Sequence, residues 1–75
     1  MNRITAVCLY SNVSLIRPGE KYEFDKIYTG LRYTTYLIEV AKYIAVRPLA
    51  SLALIIEGLD EIIAVFEIID VPSNS

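Results

Sequence analysis

The second half of this chain is too apolar to be left in water. Of the 35 residues from Leu37 to Val71, 24 are Ala, Val, Ile, Leu, Phe or Tyr. Each Leu or Ile left exposed forgoes about 1.5–3 kcal/mol of burial, against a total stability of about 5–15 kcal/mol for an ordinary domain. The sequence has 75 residues, which suits one domain with a short polar tail at 72–75. A chain that short hides only about 60% of the surface its unfolded form exposes. Disulfides, metals or partner subunits commonly supply what such a small core lacks.

Two of those supplements are closed to it. Cys8 is the single cysteine and there is no histidine, so no internal disulfide can form. A structural zinc site draws its four ligands chiefly from Cys and His, so none is expected. Missing histidine also removes the commonest general acid–base and triad designs. The three glycines, Gly19, Gly30 and Gly58, are scattered rather than gathered in a phosphate-binding loop. No catalytic residue, metal site or cofactor is therefore expected, which leaves a second protein surface as the supplement.

Local pattern predicts an α+β fold. A short antiparallel β-meander over about 4–24 would comprise Ile4–Tyr10, Val13–Ile16 and Lys21–Phe24. Its second turn is Arg17-Pro18-Gly19-Glu20, where proline presets φ and glycine accepts the positive φ of a type II turn. From Leu31 the apolar residues Tyr33, Leu37, Val40 and Ile44 step by four, three and four. That spacing predicts an amphipathic helix over 31–46, with Thr29 as its cap and Pro48 as its stop.

The segment from Leu49 onward supports two readings. Leu52, Ile55, Leu59, Ile62, Phe66 and Ile69 step by three and four, the seam of a second helix over 49–70. The alternative is a β-hairpin over 49–71, pairing Ser51–Glu57 with Ile62–Val71 around Gly58-Leu59-Asp60. It would give a sheet covered by one helix, and the abundance of Ile and Val favours it. Periodicity is the primary signal, and it selects the helix.

Charge is polarised along the chain. Seven bases and four acids precede position 50; five acids (Glu57, Asp60, Glu61, Glu67, Asp70) and no base follow it. The acidic run reads as a solvated face. It is too sparse to mimic nucleic acid and lacks the loop of a calcium site. Nucleic acid is not an expected partner. Nor is a membrane, since the longest charge-free stretch of the second half, Pro48 to Ile56, has nine residues where a helical span needs about 20. A lone thiol and no secretory pattern after Met1 suggest the cytoplasm; Asn12-Val13-Ser14 then matches the glycosylation triplet by chance.

These features predict a small non-enzymatic protein-interaction module, acting as a regulator, inhibitor or accessory subunit. It would pair with itself, as a homodimer or larger, and with another protein. The expected oligomer interface is the seam Leu52, Ile55, Leu59, Ile62, Phe66 and Ile69, and opposed charges would favour an antiparallel or head-to-tail arrangement. The alternative is a small anion- or nucleotide-sequestering protein using Tyr28–Tyr36. There Thr29, Gly30, Arg32, Tyr33 and Tyr36 would surround a helix N-terminus, whose free amides attract anions.

Overall fold

The structure is a computed structural model that describes residues 3–70; the polar tail at 72–75 lies outside them. Six antiparallel strands close into a barrel in sequence order: β1 (Arg3–Ser11), β2 (Lys21–Thr29), β3 (Tyr33–Ile38), β4 (Ile44–Pro48), β5 (Ala53–Glu57) and β6 (Ile62–Asp70). β6 returns to pair with β1, Cys8 opposite Phe66 and Ala6 opposite Ile68. Closure removes the free edges that a sheet rich in Val and Ile would otherwise present to other chains.

The described residues contain no helix, so the expected α+β fold is corrected to all-β. Side chains alternate at a period of two. Tyr36 and Ile38 on β3, Ala45 on β4, and Leu54 and Ile56 on β5 are buried. The expected helical face, Tyr33, Leu37, Val40 and Ile44, is exposed at all four positions. Its three-and-four spacing is therefore incidental. Thr34, Thr35 and Ile38 are β-branched, and Glu39 to Tyr43 form the turn between β3 and β4.

The segment from 49 onward forms a hairpin, β5 against β6 with Leu54 opposite Phe66 and Ile56 opposite Ala64. It joins a closed barrel rather than a sheet covered by a helix. The N-terminal meander is also redrawn. No strand forms over 13–16; that segment is an irregular connection whose Ile16 plugs the barrel. The turn at Arg17-Pro18-Gly19-Glu20 is present, with Gly19 at φ 88° and the Glu20 amide donating to the Arg17 carbonyl at 3.3 Å. β2 then continues to Thr29, through residues expected to be a connection.

Large and small side chains alternate around the interior. Ala6 lies opposite Tyr22 and Ile68, Ala45 opposite Tyr36 and Ile56, and Ala64 opposite Ile56. The lumen of a six-stranded barrel is narrow, and the alanines leave room for the rings. Phe66 meets Phe24 edge-on at 4.9 Å between ring centres and Tyr22 at 5.9 Å. The Tyr22 hydroxyl accepts the Arg17 amide at 2.7 Å, which ties the proline turn to the core. Among the described residues every buried side-chain polar atom has a partner. No described helix is long and apolar enough to cross a membrane.

Candidate functional site: the two ends of the barrel

An up-and-down barrel sends alternate connections to opposite ends. One end carries the connections 30–32 and 49–52, which touch through the Leu49 amide and the Arg32 carbonyl at 2.9 Å. The other carries 12–20, 39–43 and 58–61, where the Asn12 amide donates to the Ile63 carbonyl at 2.7 Å. The first is the basic end; the second, whose connections hold Glu20, Glu39, Asp60 and Glu61 with Arg17 and Lys42, is the acidic end.

At the basic end the lumen turns polar. Thr29 lies opposite Thr34, and Thr34 opposite Arg47. By register this row continues the inward face of Tyr36 and Ala45, because directly opposed residues share a face. Half-buried Arg47 donates through Nε to the Ser51 carbonyl at 2.6 Å, and exposed Lys26 stands opposite Tyr36. The connections here hold Arg32 and no acid. β6 also finishes here, with Asp70 opposite Thr5 and Glu67 opposite Ala53 beside the 49–52 connection. Leu31 at the tip of the β2–β3 hairpin is 95% exposed, and Leu49 and Leu52 beside it are also exposed.

The acidic end repeats that tip with opposite charge. Gly30-Leu31-Arg32-Tyr33 and Gly58-Leu59-Asp60-Glu61 have the same plan. Each is closed by its glycine amide donating to the carbonyl three residues on, at 2.8 Å in both cases. Leu59 is fully exposed and flanked by Glu57, Asp60 and Glu61; Leu15 and Val40 are exposed at the same end. Beneath these tips the lumen is sealed by Ile16, with Val13, Ala41, Tyr43 and Ile63 packed on the core.

The wall between the ends is divided. One sector of β1–β3 is charged: Arg3 bonds Glu23 at 2.7 Å and Asp25 at 2.9 Å and lies 3.6 Å from Glu39. The hydrogen bond to Asp25, aided by the surrounding acids, holds the Arg3 guanidinium above its ordinary pKa. The opposite sector is an apolar row in direct register, Val46, Ile55, Val65 and Tyr10, with the first three only partly exposed.

The expected seam is not one surface. Phe66 is sealed in the core, Ile55 lies on the wall and Leu59 at the acidic tip; Leu52 belongs to the basic end, and Ile62 and Ile69 are exposed on β6. The anion-binding grouping also disperses. Tyr36 is buried, Thr29 and Gly30 lead into a hairpin turn, and Arg32 and Tyr33 are exposed around it. Without a helix there is no set of free N-terminal amides, and the Gly30 amide is already bonded to Tyr33. Arg47, which register places in one row with Thr34 and Thr29 at the barrel mouth, lies outside the Tyr28–Tyr36 segment, and only strand pairing brings it there. Cys8 is buried, and burial pushes its thiol pKa up. No family model, curated protein or solved structure matches the chain.

Proposed function

We propose that this protein is a non-enzymatic protein-interaction module that self-associates and, through the same surfaces, engages another protein as a regulator, inhibitor or accessory subunit. One observation carries the reading. After the barrel has closed around its core, the leucines at both ends, Leu31 and Leu59 above all, bury almost nothing within the protomer. A hairpin tip needs only a residue that tolerates the turn, and Asn, Asp, Gly or Ser would serve there. Leucine at both tips, with further exposed aliphatics beside each, is the composition of a surface that gains by being covered.

The reading includes a reducing, cytoplasmic setting, supported by the single unpaired and buried thiol of Cys8. Sedimentation across the micromolar range tests the association. The average mass should rise above 8.5 kDa with concentration. An 8.5 kDa species at every concentration overturns the proposal.

A further inference from the structure

We infer that the contact between copies is head-to-tail: the acidic end of one barrel docks on the basic end of the next. This rests on the self-association proposed above and specifies its geometry. Both ends are apolar at their tips, so either could shed water against a copy of itself. Charge at the two tips favours one arrangement.

Two β5–β6 tips face to face would bring Glu57, Asp60 and Glu61 against their own duplicates; the bases of that end, Arg17 and Lys42, lie on the neighbouring connections and not on that hairpin. Two β2–β3 tips would likewise oppose Arg32 to its duplicate, with Arg47 at the same end. Like charges brought together in a contact oppose it, whereas complementary potentials set its register. Only the unlike pairing places Asp60 and Glu61 near Arg32 while Leu59 meets Leu31, Leu49 and Leu52. Both ends are needed in every copy, and they lie at opposite poles of the same barrel. The interface is therefore heterologous, and addition continues until a ring closes or a filament forms.

The wall offers the competing arrangement. Its row Val46, Ile55 and Val65 could pair with itself about a two-fold axis. Those side chains are already partly covered by their neighbours in the sheet, whereas the tip leucines are not.

Two variants separate the cases. Leu31→Asp with Arg32→Glu disables the basic end; Leu59→Ser with Asp60→Ser disables the acidic end without making it complementary to the first variant's altered tip. All four substitutions lie at exposed positions and spare Gly30 and Gly58, and retention of the wild-type far-UV spectrum and melting temperature verifies the fold. Each variant alone should sediment only as a monomer. An equimolar mixture should yield a 1:1 heterodimer, because each variant supplies the end that the other lacks. A mixture that stays monomeric, or a variant that associates like the wild type, overturns the head-to-tail geometry. If the tip variants still associate and Ile55→Lys does not, self-association stands and runs through the wall instead. A wild-type chain that is always monomeric removes both proposals.

Discussion

Phe66 and Leu59 occupy equivalent places in a three-and-four apolar seam, yet the barrel gives them opposite surroundings. Phe66 lies edge-on to Tyr22 and Phe24 in the core, whereas Leu59 touches little but water. Phe66→Ala removes a ring from a closed lumen and should cost about 3–5 kcal/mol. Leu59→Ala should leave the monomer within about 0.5 kcal/mol of wild type, as exposed substitutions do. Urea denaturation at a fixed low protein concentration measures both, and equal losses would contradict the inward assignment of Phe66. Cys8 gives a second residue-scale test. Its thiol is buried, with a raised pKa, and donates to the Tyr10 carbonyl at 3.2 Å. Alkylation near pH 8 should be slow in the native protein and should reach free-thiol rates only in denaturant. A raised thiol pKa also means that its contribution to stability is complete below the unfolded chain's thiol pKa and is lost as pH rises through the folded value. Rapid labelling under native conditions would show that Cys8 is not sealed in.

The elements depend on two residues with positive φ. Gly19, at φ 88°, has nothing within 4 Å of where a Cβ would stand, so Gly19→Ala fits sterically and is disfavoured only by its backbone. Ala50 adopts φ 64° in the β4–β5 connection without being glycine. A left-handed conformation costs an L-residue roughly 1–2 kcal/mol. Gly19→Ala should therefore lower stability by about 1 kcal/mol and Ala50→Gly should raise it by somewhat less; thermal melts giving the opposite signs would count against these turns. The turn at Pro18-Gly19 was legible because its chemistry is local. So was the hairpin around Gly58, through its flanking β-branched runs, although the helical period outweighed it. The false helix at 31–46 has a physical origin. Both faces of β3 and β4 carry apolar residues, Tyr36, Ile38 and Ala45 inward and Leu37, Ile44 and Val46 outward. A segment apolar on both faces permits a period of 3.6 to be drawn through it as readily as a period of two. Only closure against β2 and β5 decides which residues are inside.

At the scale of the whole molecule, the charge polarity of the sequence reappears only at the two hairpin tips, since Arg17, Lys21 and Lys42 of the earlier part lie at the same end as Asp60 and Glu61. The base-free stretch after position 50 builds the β5–β6 hairpin, whose tip carries Asp60 and Glu61. Arg32 and Arg47 come from the earlier part of the chain and meet at the opposite end. Sequence alone shows the imbalance but not the ends, since those are defined by strand direction. An interface steered by these charges should weaken as salt rises from about 0.01 to 0.15 M, where the screening length falls from about 30 to 8 Å. Sedimentation at the two ionic strengths checks this; association that strengthens with salt would identify a contact held by apolar burial without charge steering. That apolar side chains outnumber what the core takes in was legible in the composition, but which residues stay exposed was not. Four of the six seam residues are exposed, yet they are spread over the basic end, the acidic tip and β6 rather than forming one stripe.

Hydroxyl-radical footprinting through a dilution series tests the central claim most directly, because it reads individual side chains in the unmodified chain. The account predicts that Leu31 and Leu59 are shielded together at high concentration and become reactive together on dilution, while Ile55 on the wall keeps a constant rate. Tips that are fully reactive at every concentration, or shielding confined to the wall, would contradict it.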